Sequence, residues 1–125
     1  MKSKSGMLAI AVLVFAFVSS VANAAALRVV IVQADDVAAY TKALGEGQKI
    51  LTGLGSTGKL RAWLARYAGP DSGAVAVAIE YADLETLAAD EMKNSKDPAF
   101  QKWLKDLGKT RKILSDSIYV ELDIE

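Results

Sequence analysis

The run Leu27-Arg28-Val29-Val30-Ile31-Val32-Gln33 constrains the fold more than any other segment of this 125-residue chain. It is β-branched and almost continuously apolar, the pattern of a strand that buries both faces. A sheet containing such a strand needs cover above and below. The remaining sequence supplies helices for one side only.

After this strand the periodicity switches. Ala34-Asp35-Asp36 offers an N-cap, and Val37, Tyr40, Leu44 and Leu51 recur at helical spacing until Gly53, Gly55 and Gly58 end the helix. From Lys59 to Ala68 the period is two, with Leu60, Ala62 and Leu64 on one face and Arg61, Trp63, Ala65 and Tyr67 on the other. Gly69-Pro70-Asp71-Ser72-Gly73 reads as a turn, and Ala74 to Tyr81 alternates again, so the two runs predict a hairpin. Asp83 caps a second helix to about Met92. Asp97-Pro98 restarts it, and Phe100, Trp103, Leu104 and Leu107 carry its apolar face to Gly108. A last alternating run, Ser117 to Asp123, sets Ile118, Val120 and Leu122 against Tyr119, Glu121 and Asp123. The order β-α-β-β-α-β predicts an α+β, ferredoxin-like domain with one four-stranded antiparallel sheet. Helices on one face leave the other bare, so two such sheets are expected to pack together in a homodimer, a dimeric α/β barrel.

The first two dozen residues carry a different message. Lys2 and Lys4 precede an apolar run, Met7 to Val18, too short for a bilayer-spanning helix of roughly 20 residues, and Ala22-Asn23-Ala24 presents small side chains for cleavage. Residues 1–24 are therefore expected to be a cleaved export signal and residues 25–125 a single domain, periplasmic or secreted, with no membrane anchor once the signal is cut. The 15 basic and 15 acidic residues of the whole chain become 13 and 15 without Lys2 and Lys4, a formal charge of −2. Such a balance gives no electrostatic footprint for nucleic acid.

The chain has no cysteine and no histidine. An exported domain of this size thus lacks a disulfide staple, and a lipid-anchored N-terminus, which needs a cysteine, is excluded. Most metal sites, thiolate- or imidazole-ligated haem and histidine-based triads are excluded too. No metal and no cofactor are expected.

Two segments resemble the dimeric α/β-barrel superfamily, in particular its NIPSNAP-like and antibiotic-biosynthesis-monooxygenase-like members. They are Ile79-Glu80-Tyr81-Ala82-Asp83-Leu84, a strand ending in an acid and an aromatic before a capped helix, and the stretch from Asn94 to Trp103, where Asp97-Pro98-Ala99-Phe100 opens a further helical turn. The resemblance implies a ferredoxin-like fold and a range of roles, from cofactor-free monooxygenase to haem enzyme to proteins without assigned activity. The haem-bearing relatives use a histidine that is absent here. Where many monooxygenase-like members place a histidine in the second helix, this chain has Asp90 and Glu91.

Candidate ligand-binding residues are Arg61, Trp63 and Tyr67, which share one face of the second strand, and Tyr119 on the last. In a dimer interior they line a cleft with aromatic walls or fill a sealed core. Glu80, a carboxylate among alanines, is the candidate base, or else the partner of Arg61 or Arg66. Phe100 and Trp103 at i and i+3 read as core, and Lys109-Thr110-Arg111-Lys112 as a solvated loop. Gly53-x-Gly55-x-x-Gly58 matches a dinucleotide-binding pattern but follows a helix instead of a strand, so the context that motif needs is missing. The expectation is an exported, non-catalytic dimeric barrel that binds a small apolar or aromatic ligand, or a partner, in the cell envelope. The alternative is a cofactor-free monooxygenase-like or isomerase-like enzyme with Trp63, Tyr67 and Glu80 near the substrate.

Overall fold

A computed structural model describes residues 24–66 and 69–124. Strand β1 (Ala26–Ala34) leads into α1 (Val37–Gly53), followed by β2 (Lys59–Leu64), a 3-10 turn at Gly69–Asp71, β3 (Val75–Tyr81), α2 (Leu84–Asn94), α3 (Pro98–Gly108) and β4 (Arg111–Val120). The sheet order is β2-β3-β1-β4, and each neighbouring pair is antiparallel. This is the ferredoxin-like arrangement, with the apolar β1 in a central position. The export signal lies outside the described residues, as does Tyr67.

Aspartates start all three helices. Asp36, Asp83 and Asp97 accept from the backbone N–H of Ala39, Thr86 and Phe100, and Pro98 fills the first turn of α3, where its missing N–H costs nothing. The Thr86 hydrogen bonds hold the Asp83 carboxyl below its ordinary range. At the other end of α1, Gly55 takes φ +79°, a left-handed conformation that lets the chain turn back towards β2.

Register assigns the two faces of the sheet. Val30 and Val32 of β1 point with Leu60 of β2 and Val75 and Val77 of β3 into a core closed by Tyr40, Leu44, Trp103 and Leu107. Ile79 and Tyr81, on the same face of β3, meet Leu87 of α2. All three helices therefore lie on one side. Three rows of side chains occupy the opposite face: Lys59, Glu80, Leu27 and Tyr119, then Arg61, Ala78, Val29 and Ser117, then Trp63, Ala76, Ile31 and Ser115. Among the described residues no helix covers this face, and Trp63 and Tyr119 remain 50% and 56% exposed.

The last strand departs from its sequence pattern. Alternation points to Ser117–Asp123, but the strand spans Arg111–Val120 and includes half of the basic run read as a loop. The cause is a register shift opposite Ile31 and Val32. An extra residue, Leu114, sits there and breaks the period-two signal. Arg111 is thereby a half-buried strand residue on the helix-covered face, opposite Ala34. Strand β2 stops at Leu64, short of the expected Ala68, and Ala65 continues the hairpin by pairing with Ala74 and Gly73.

Candidate functional site

A cavity of about 390 Å³ lies between the helix-covered face of the sheet and the three helices. Its walls are apolar, with Val30, Leu60, Val77 and Ile79 below and Leu44, Leu51, Phe100, Trp103 and Leu107 above. The exposed members of the lining, Ser95, Leu104, Ile113 and Asp116, mark its mouth. The volume falls within the range of small-molecule pockets, and so does the pairing of apolar walls with a few fixed polar groups.

The first polar group is built on Arg28. This residue alternates with the apolar positions of β1 so that its side chain joins Val30 and Val32 on the helix side. Its guanidinium makes a two-pronged ion pair with Glu91 of α2, Nη2 donating to Oε2 at 2.7 Å and Nε to Oε1. Nη1 donates to Asp116 Oδ1 of β4 at 2.7 Å. Glu91 faces inward because Leu87, Glu91 and Asn94 recur at helical spacing on the buried side of α2. The hydrogen bonds donated to Glu91 raise the Arg28 pKa further above its ordinary value, against the opposing effect of partial burial. Planar, bidentate geometry of this kind is what an arginine provides and a lysine does not.

A second group surrounds Asp90. Its Oδ2 accepts from the Ser56 hydroxyl at 2.5 Å, the Tyr81 hydroxyl at 2.8 Å and Asn94 Nδ2 at 3.0 Å. Ser56 in turn accepts from the Gly58 N–H. Gly58 has no side chain because a Cβ there would lie 2.8 Å from Tyr81 Cζ. Burial, and then the hydrogen bond to Asp90, push the Tyr81 phenol well above its ordinary range. Asn94, almost wholly buried, leaves its Oδ1 without a partner among the described residues. A buried acceptor left unpaired costs about 1–3 kcal/mol.

Arg111 forms the third. Nη1 donates to the buried Tyr40 hydroxyl at 2.8 Å, while Nε is sealed from solvent without an acceptor among the described residues. No carboxylate among those residues lies within ion-pair distance of it.

Both oxygens of Glu91 and one of Asp116 are occupied by Arg28, and Asp90 Oδ2 already accepts three hydrogen bonds. A base needs a free lone pair within reach of the proton it removes.

Arg61, Trp63, Glu80 and Tyr119 do not line this cavity; they stand on the opposite face of the sheet. There Arg61 lies over the Trp63 ring, 5.3 Å from its centroid, and meets Glu80 at 3.6 Å, with both charged side chains well exposed. Tyr119 is on β4, three strand spacings or roughly 14 Å from β2. Trp103 packs as core and also walls the cavity, its indole N–H donating to the Ala43 carbonyl at 2.9 Å and its ring 5.6 Å from that of Phe100. Sequence reasoning passed over Arg28, although a lone charge inside an apolar strand is itself a signal of a buried partner.

Solved structures share this architecture. A NIPSNAP family protein from Agrobacterium tumefaciens superposes with a TM-score of 0.59 at 17% identity, over 81% of this chain and 87% of that one. SnoaB, a cofactor-independent oxygenase from Streptomyces nogalater, gives 0.57 at 11% identity, over 81% and 96%. An uncharacterized NIPSNAP-like domain protein from Burkholderia xenovorans gives 0.54 at 12%, over 82% and 87%. The chain has the ferredoxin-like fold of NIPSNAP and monooxygenase-like proteins. No family model and no curated protein matches its sequence. At these identities the likeness is one of fold, and the site must be argued from its own residues.

Proposed function

We propose that this is an exported binding protein that takes a small aromatic or apolar molecule into the cavity between sheet and helices and works as a homodimer. The observation that carries the reading is the cavity, with Leu44, Leu51, Val77, Ile79, Phe100 and Trp103 around it and its charged groups fixed by Arg28 and Tyr40. Joining two bare sheet faces would remove roughly 1,500 Å² from water, the size of a stable interface, and would cover Leu27, Val29, Ile31, Trp63 and Tyr119. The short apolar run before Ala22-Asn23-Ala24 is the reason for placing the protein in the envelope.

Native mass spectrometry of protein purified from its own envelope tests the binding role, together with thermal shift against a panel of aromatic probes. A co-purifying small molecule, or a shift abolished by the cavity-filling Ile79→Phe, is expected. An apo mass with no response to any probe refutes it. A second reading, a cofactor-free oxygenase, draws on Tyr81, which lines the cavity and donates to Asp90 behind it, and on the fold shared with SnoaB. Dioxygen consumption with a dihydroxynaphthalene, lost in Tyr81→Phe, would establish that reading in place of the first.

A further inference from the structure

Four charged side chains line the cavity, and their pairing is lopsided. Arg28 is shared between Glu91 and Asp116, a cluster carrying one net negative charge. Arg111 carries a positive charge, donates to a neutral hydroxyl and has no ion pair among the described residues. The two groups stand apart along the β1–β4 pair. Asp116 is opposite Val30 and Arg111 opposite Ala34, four residues or roughly 13 Å along the strand. Between them the walls are aliphatic and aromatic. The cavity is therefore polarised, acidic towards Arg28 and basic at Arg111.

A guanidinium that is partly withdrawn from water normally has a carboxylate beside it. Of its five N–H donors, Arg111 gives one to Tyr40, and its Nε–H is shut away with no acceptor among the described residues. With no carboxylate in ion-pair distance among the described residues, the remaining Nη donors are left to take an anionic acceptor. A planar carboxylate suits the guanidinium fork, and apolar surroundings strengthen the contact. The acidic cluster at the far end turns away the same group, so only one orientation is favoured. Phe100 and Trp103 offer ring surface between the two ends.

We propose that the cavity selects aromatic monoanions, with the ligand carboxylate seated at Arg111 and its ring between Trp103 and the sheet. This specificity rests on the binding role proposed above, and the following experiment separates the two. Calorimetric titration of the mature protein compares 2-naphthoate with 2-naphthylmethanol, which has the same ring system without the charge. The naphthoate is expected to bind about tenfold more tightly, with a preference that shrinks as salt rises from about 20 to 500 mM. Arg111→Gln should abolish the preference and Arg111→Lys should retain part of it. If Arg111→Gln does not fold, as judged by circular dichroism, the lysine variant and the wild-type salt dependence decide. Equal binding of the two probes overturns the proposal while leaving the binding role intact, as does a preference lost in Arg28→Met but kept in Arg111→Gln. If neither probe binds and no other aromatic compound does, the binding role itself falls.

Discussion

Two glycines of one helix should respond in opposite directions to the same substitution. Gly45 and Gly47 both lie inside α1, where replacing glycine by alanine is worth about 1 kcal/mol in helix propensity. A Cβ at exposed Gly45 would meet nothing within 4 Å, so Gly45→Ala should realise that gain. At Gly47 a Cβ would fall 2.2, 2.5 and 2.8 Å from three ring atoms of Trp103. The indole cannot simply retreat, because its N–H is bound to the Ala43 carbonyl one turn earlier on the same helix. Overpacking costs about 1–3 kcal/mol, and three contacts against a rigid ring place this case near the upper end. Less the propensity gain, Gly47→Ala should lose about 2 kcal/mol. For a domain of this size, thermal unfolding followed by circular dichroism should show a midpoint about 8–16 °C lower for Gly47→Ala and about 4–8 °C higher for Gly45→Ala. A Gly47→Ala protein that melts at or above the wild type refutes the packing of Trp103 on α1, and with it the upper wall of the cavity.

Other perturbations address the remaining features. The folded state holds the Tyr81 phenol above its ordinary value of 10, so its contribution is complete below that pH and fades as pH rises further; urea midpoints should fall as pH rises above about 10 in the wild type and less in Tyr81→Phe, which starts about 1 kcal/mol weaker. Arg28→Met leaves Glu91 and Asp116 without their counter-charge; with side chains 28–44% exposed the loss, read from urea midpoints, should be about 1–2 kcal/mol. Val29→Asp alters only the bare sheet face and should give a folded monomer by light scattering, whereas Val30→Asp, pointing at the helices, should fail to fold; a Val29→Asp protein that assembles like the wild type excludes that face as the interface.

What could be read from sequence followed the range of the interactions concerned. The Asp36, Asp83 and Asp97 caps, the β2–β3 hairpin and the β1 run are local patterns, and each appears at its expected place to within a few residues. The start of β4 was hidden because Leu114 interrupts the alternation and because Lys109-Thr110-Arg111-Lys112 has the composition of a loop. The cavity was hidden for a deeper reason. Arg28 finds Glu91 across 63 positions and Asp116 across 88, and no local periodicity encodes such a meeting. Asp90 and Glu91 stood out only as the residues occupying a place where many relatives have histidine, and Arg61, Trp63 and Tyr119 drew attention by residue type on a face away from the cavity.

The bulge at Leu114 also bears on how this chain can aggregate. A sheet presents two free borders, and an unprotected border recruits further strands from other molecules without limit. Here one border is β4, kinked and twisted by the extra residue, and the other is β2, which carries Lys59 and Arg61. The bulge interrupts the first and charge interrupts the second. Lateral growth into a ribbon is thereby discouraged, which leaves the sheet face without helices, with Trp63 and Tyr119 exposed on it, as the broad surface for contact. Contact through a single self-complementary surface ends once two copies have met. For a chain with no cysteine, that geometry favours a closed pair over a fibre.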